Sequence, residues 1–135
     1  MIALKLTVNF RHKTTAHKMK ILIAEDNLVN QMVLSKILKK NGHDTAVAEN
    51  GTEAVQMALA DDFALILMDL QMPDKDGIEA TREIREVQPD SPVIIALTAA
   101  TMGEERELCL EVGMNDFLSK PISKEQIDQM LSKWF

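Results

Sequence analysis

The chain is poor in several residue types, and each shortage removes a class of protein. Cys109 is the single cysteine among 135 residues, so no intramolecular disulfide can form, and a reducing, cytoplasmic setting is expected. The three histidines, His12, His17 and His43, are scattered and make a poor zinc site with that one thiol. No apolar run approaches the ~20 residues of a membrane-spanning helix, and the start lacks the apolar core and cleavage pattern of a signal peptide. Neither a membrane span nor a secreted product is expected. Internal repeats and low-complexity stretches are absent too.

The net charge of −6 is unevenly spread. Residues 1–20 hold five basic and no acidic side chains, which leaves 10 basic against 21 acidic, or −11, over the remainder. An acidic body repels phosphates, and the basic stretch lacks an aromatic stacking array, so no nucleic-acid partner is expected. Hydrophobic residues at 46% suffice for one core, and the length fits one domain without a second folded output module.

From Lys20 onward, apolar runs alternate with helical patterns. Ile21-Leu22-Ile23-Ala24, Phe63–Met68 and Pro92–Leu97 read as strands buried on both faces, with weaker strands at Thr45–Ala48 and Asp116-Phe117-Leu118. Asn27 can cap a helix with Val33, Leu34, Ile37 and Leu38 on its apolar side, stopped by Asn41-Gly42. A second helix follows Asn50-Gly51, with Ala54, Val55, Ala58 and Leu59 on one face. Met72–Gly77 is loop chemistry, and the helix beyond it, with Ile84 and Val87, ends before Pro89. A Glu-rich helix is expected over about Met102–Val112, and Ser123 with Gln126 opens the last through a capping box. Five β/α units predict an α/β fold, a doubly wound five-stranded parallel sheet of order 2-1-3-4-5 with helices on both faces.

The N-terminal extension, residues 1–19, stands apart from the domain at 20–135. Its Ile2, Leu4, Leu6, Val8 and Phe10 alternate with other residues, a strand pattern that could pair with a sheet edge or another chain. It reads equally well as a linker, or as upstream sequence before a start at Met19.

Ligands of such a sheet bind beyond the carboxyl ends of its strands. Glu25-Asp26 follow the first strand, Asp69 the third, Thr98 the fourth and Lys120 the fifth. Like charges raise one another's pKa, so three carboxylates side by side need a partner, and a hard Mg²⁺ supplies one. Asp69, at the tip of an apolar strand, is placed as a nucleophile toward a phosphoryl group. Lys120 can neutralise phosphoryl oxygens and Thr98 can donate to one, which together suit phosphoryl transfer. Singly, Asp26 could be a helix cap, Thr98 a strand end and Lys120-Pro121 a solvated loop. Their joint placement is what carries the reading.

The motifs Ile21–Asn27, Leu67-Met68-Asp69-Leu70-Gln71-Met72-Pro73 with Gly77, Ala96-Leu97-Thr98-Ala99 and Phe117-Leu118-Ser119-Lys120-Pro121 resemble the receiver domain of two-component response regulators. The resemblance covers Lys20–Phe135, and the wording around Glu25-Asp26-Asn27, Asn30-Gln31 and Met68–Pro73 is most similar to receivers of hybrid histidine kinases. It implies that Asp69 accepts a phosphoryl group from a histidine kinase or histidine phosphotransfer protein. Asp26 and Asp69, with Glu25 through water and the backbone carbonyl of Gln71, would hold Mg²⁺. Lys120 and Thr98 would contact phosphoryl oxygens, and Phe117 would be the aromatic switch that turns inward as Thr98 moves. A downstream protein would then read the changed surface. The acidic pair is Glu-Asp rather than Asp-Asp, and the switch is Phe rather than Tyr and so lacks a hydroxyl. Gln71 and Ala100 flank the water approach and are expected to tune hydrolysis.

Such a chain is a regulatory phosphoacceptor that catalyses only its own phosphorylation and dephosphorylation, not an enzyme acting on other substrates. Ending at Phe135, it is expected to act by docking, alone or as part of a larger phosphorelay. A homodimer through the last helix–strand–helix face or the N-terminal strand is a further hypothesis. The alternative is a degenerate receiver acting as a protein-binding scaffold without phosphorylation. A flavodoxin-type module is disfavoured, because Glu25-Asp26 would repel a cofactor phosphate. An aspartyl phosphatase is disfavoured because Gln71 stands where a second acid is wanted. The remaining features read as packing: Cys109 as a buried apolar residue, Glu104, Glu105, Glu107 and Glu111 as a solvated face, Trp134 as an anchor of the last helix.

Overall fold

The computed structural model describes residues 18–99 and 103–135. The alternating pattern of the N-terminal extension and Ala100 lie outside the described residues. Five strands, β1 (Lys20–Ala24), β2 (Asp44–Ala48), β3 (Leu65–Asp69), β4 (Val93–Thr98) and β5 (Asp116–Ser119), pair in parallel in the order β2-β1-β3-β4-β5. Five helices connect and follow them: α1 (Leu28–Lys40), α2 (Gly51–Ala60), α3 (Gly77–Val87), α4 (Glu105–Val112) and α5 (Lys124–Trp134).

The continuous apolar strands split their side chains between two cores, because successive residues of a strand point to opposite faces. Ile21, Ile23, Leu65, Leu67, Ile95 and Leu97 pack with Leu34 and Leu38 of α1 and Ile127 and Met130 of α5. Leu22, Ala24, Ile66, Met68, Ile94 and Ala96 pack on the other side, with Ala54 and Ala58 of α2, Ala80 and Ile84 of α3, and Cys109 and Val112 of α4. The expected order, parallel sheet and two-sided helical cover are all present. Each fully buried Ile or Leu here stabilises the fold by about 1.5–3 kcal/mol relative to exposure.

Some boundaries differ from the sequence expectation. The third strand begins at Leu65 rather than Phe63, which instead packs against the core from the preceding loop. α4 starts at Glu105, two residues beyond Gly103 and without a side-chain cap, rather than near Met102. Val33, Leu59 and Val87 are exposed, so the helices present fewer apolar residues to the sheet than their spacing suggested.

The caps come from side chains the sequence offers. Asn27 accepts from the Asn30 N–H at 3.0 Å, Asp76 from the Glu79 N–H at 2.8 Å, and Ser123 with Gln126 completes the capping box. Trp134 Nε1 donates to Asp116 Oδ2 at 3.0 Å and ties α5 to the start of β5, the anchoring role expected of it. Cys109 is fully buried, and burial, helped by nearby Glu105, pushes its thiol pKa up to about 11. No described helix is long and apolar enough to cross a membrane.

Candidate active site

The carboxyl ends of β1, β3 and β4 open into a cleft of about 490 Å³. Its walls include Glu25, Asp26, Asp69, Gln71, Thr98 and Lys120, so the six residues predicted to carry metal and phosphoryl chemistry converge there. Phe117 is the exception: it lies half-buried on β5, outside the cleft lining, with the Arg106 guanidinium 5.3 Å from its ring centre.

Parallel register fixes this convergence. Ala24 pairs with Met68 and Asp69 with Leu97, which sets Glu25 beside Asp69 and Thr98 one residue further along the neighbouring strand. Thr98 pairs with Ser119, and the Lys120 N–H donates to the Thr98 carbonyl at 2.7 Å, which fixes the lysine just past the end of β5 beside the cleft. The peptide joining Lys120 to Pro121 is cis. Gly77 lies against the Asp69 backbone, where a Cβ would run into the Asp69 carbonyl oxygen.

Asp69 is 5% exposed and Glu25 1%, so both charges need partners. Lys120 Nζ supplies one to each, at 2.8 Å from Asp69 Oδ2 and 2.9 Å from Glu25 Oε1. Burial opposes the charge of Lys120, but the hydrogen bonds and Coulomb attraction of Asp69 and Glu25 outweigh it and raise the pKa above 10.5. The other Asp69 oxygen, Oδ1, accepts from the Gln71 N–H at 3.1 Å. Asp26 is exposed and does not cap α1, a task that Asn27 performs.

One ligand oxygen each from Glu25, Asp26 and Asp69 lie within 4.8 Å of one another. Oxygens on opposite sides of an Mg²⁺ stand about 4.2 Å apart, so this set fits the ion with slight closure or one bridging water. An all-oxygen set also suits Mg²⁺ better than a softer metal.

Three residues do more than their sequence context revealed. The Asn27 N–H donates to Glu25 Oε2 at 3.1 Å, Asn30 Nδ2 to Glu25 Oε1 at 3.2 Å, and Gln31 Nε2 to the Glu25 carbonyl at 2.6 Å. The first turn of α1 therefore grips Glu25 by side chain and main chain. Nothing in the apolar periodicity of the helix signals this. The available clue is three amide residues within seven positions after the strand. The outer side of the same turn carries Leu28, Val29 and Met32, each 66% exposed.

Comparison with known proteins agrees with the geometry. The family model for the response regulator receiver domain matches residues 21–132. Hybrid signal transduction histidine kinase B of Dictyostelium discoideum is 47% identical over 127 residues, covering 84% of this chain and 6% of the kinase. Sensor protein GacS of Pseudomonas syringae pv. syringae is 39% identical, over 85% of this chain and 13% of its own length. The chain thus spans only a small part of these relatives. Among solved structures, the receiver domain of a sensor histidine kinase from Pseudomonas aeruginosa, with a magnesium ion coordinated in its active-site cleft, superposes with a TM-score of 0.79. It is 40% identical, with 87% of this chain and 98% of that one covered. A Saccharomyces cerevisiae receiver, solved in complex with a histidine phosphotransfer protein, gives a TM-score of 0.81 at 34% identity, covering 87% of this chain and 88% of that chain. With its sheet order, its strand-end cleft and these matches, the chain belongs to the response regulator receiver domain family.

Proposed function

We propose that the unit at residues 20–135 is a working phosphoacceptor, with Asp69 as the residue that takes the phosphoryl group from a phosphohistidine of a histidine kinase or phosphotransfer protein. The observation that carries this is the Asp69 carboxylate, aligned by Lys120 and the Gln71 N–H in a cleft whose acids are within one metal span. A carboxylate oxygen of Asp69 forms the new bond to phosphorus while the P–N bond to the donor imidazole breaks, and the departing nitrogen keeps that electron pair. Glu25, Asp26 and Asp69, with the Gln71 carbonyl, would hold Mg²⁺, which supplies positive charge against the phosphoryl oxygens. Lys120 and Thr98 contact those oxygens from the other side. Hydrolysis of the acyl phosphate by water, tuned by Gln71 and Ala100, returns the domain to its starting state.

Leu28, Val29 and Met32 form the lip beside Asn27 and Asn30 of the cleft, and this apolar lip is the docking surface for the helix bearing the donor histidine. The output is a population shift on the face of α4, β5 and α5. Thr98 moves toward the phosphoryl group, and Phe117, one strand over, leaves the Arg106 guanidinium for the interior. That face is where a downstream protein or a second copy binds. The acidic balance of the domain disfavours a nucleic-acid partner, and the single buried thiol suits a cytoplasmic protein.

Intact mass after incubation with Mg²⁺ and acetyl phosphate tests the proposal, beside Asp69→Asn. One phosphoryl adduct that needs Mg²⁺ and is lost in the variant is expected. A chain that gains no adduct, and does not bind beryllofluoride, is a scaffold rather than a phosphoacceptor.

A further inference from the structure

We infer that Asn30 is a positioning residue for the metal site, holding Glu25 in place when Lys120 turns to other partners. The inference rests on the proposed function and assigns it a residue beyond the strand-end set. Glu25 is 1% exposed, so its oxygens depend on protein donors rather than on bulk water. Oε2 has the Asn27 N–H. Oε1 is shared by two donors, Lys120 Nζ at 2.9 Å and Asn30 Nδ2 at 3.2 Å.

These two donors differ in what else is asked of them. Lys120 also bonds Asp69, and its charge is wanted by the phosphoryl oxygens once they arrive. When it leaves Glu25, Asn30 is the remaining side-chain donor to Oε1. The Asn30 amide is neutral, so it orients the carboxylate without placing a second positive charge where a cation must enter. Its own position is fixed as well, because its backbone N–H is the one that Asn27 caps at 3.0 Å. A lysine here would compete with the metal, and an apolar residue would leave the buried Oε1 short of a donor.

The test is calorimetric titration of the full chain with Mg²⁺, for the wild type, Asn30→Leu, Glu25→Ala and the double variant. Loss of a hydrogen bond that orients a metal-binding carboxylate weakens affinity about 10–100-fold, and Asn30→Leu is expected at the lower end, since the Asn27 N–H remains. In the Glu25→Ala background the same substitution should change affinity hardly at all, because its target is gone. A full-sized effect that persists without Glu25 would show that Asn30 acts on the helix instead, and would overturn the inference. So would wild-type affinity in Asn30→Leu. Should a variant fail to fold, the wild-type side-chain amide of Asn30 is followed by NMR. Its protons are expected to shift as Mg²⁺ binds, and an unmoved signal at saturating metal refutes the role. A wild-type chain that binds no Mg²⁺ sinks the site reading and this inference together, whereas normal binding with an indifferent Asn30 sinks this inference alone.

Discussion

Lys120→Met should destabilise the metal-free domain, and Mg²⁺ should restore part of the loss. The lysine makes hydrogen bonds of 2.8 and 2.9 Å to two carboxylates whose side chains are only 7% and 1% exposed. Removing one partner of a buried ion pair costs about 3–5 kcal/mol, because the other charge stays buried and unpaired. Two effects reduce that figure: Lys120 is 24% exposed, so solvent screens it, and the variant no longer dehydrates an ammonium group. A net loss of about 2–3 kcal/mol follows, or about 10 °C in thermal midpoint for a body of this size. Circular dichroism melts in EDTA and in Mg²⁺ read both effects, since a divalent cation among the same acids replaces the lost charge. The pH dependence has a definite sign. The Lys120 pKa is raised by folding, so its contribution is complete below its ordinary value of 10.5 and disappears as pH climbs through the higher folded value. The gap between wild type and variant should therefore stay constant up to 10.5 and close above it. Equal melts of the two proteins in EDTA would refute the ion-pair account.

Three other outcomes follow from the same geometry. Gly77→Ala pushes a methyl group into the Asp69 carbonyl, so it should cost about 3 kcal/mol or more and slow phosphorylation; wild-type urea unfolding and phosphorylation rates would contradict this. Burial lowers the His43 pKa below 6.5, and its Nδ1 accepts the Met19 N–H at 3.1 Å. Stability should thus be full above 6.5 and fall as pH drops through the folded value, and His43→Asn should flatten that slope in thermal melts. The paired substitution Val29→Glu and Met32→Glu should lower phosphoryl transfer from a histidine phosphotransfer protein about tenfold more than from acetyl phosphate, since it sets charges into an apolar contact. Equal losses with the two donors would remove the lip on α1 as a docking surface.

The sheet and the strand-end acids were readable because both are written in contiguous segments. An apolar run followed by a polar residue marks a buried strand and its functional end, and parallel pairing then brings Glu25, Asp69, Thr98 and Lys120 to the same edge of the sheet, within two residues of one level. What periodicity could not reveal was which of two adjacent apolar residues on a helix meets the sheet. Leu34 is buried and Val33 exposed, although both fit the spacing. The start of α4 was obscure because Glu104 and its neighbours favour a helix more broadly than the structure uses. Contacts between distant elements left no trace either. Arg106 over the Phe117 ring is a single meeting of side chains from different elements, and no local pattern encodes it. Arg85 is a similar case, donating to the carbonyls of Gly113 and Pro92 and so joining α3 to the turns around β4 and β5.

The central claim is that Asp69, among three clustered acids, takes the phosphoryl group. Borohydride reduction after treatment with acetyl phosphate and Mg²⁺ converts an aspartyl phosphate to homoserine, which peptide mass mapping can locate. The account predicts homoserine at position 69, dependent on Mg²⁺ and absent from every other aspartate. Homoserine at Asp26 instead, or at no position while the protein still binds Mg²⁺, would contradict it.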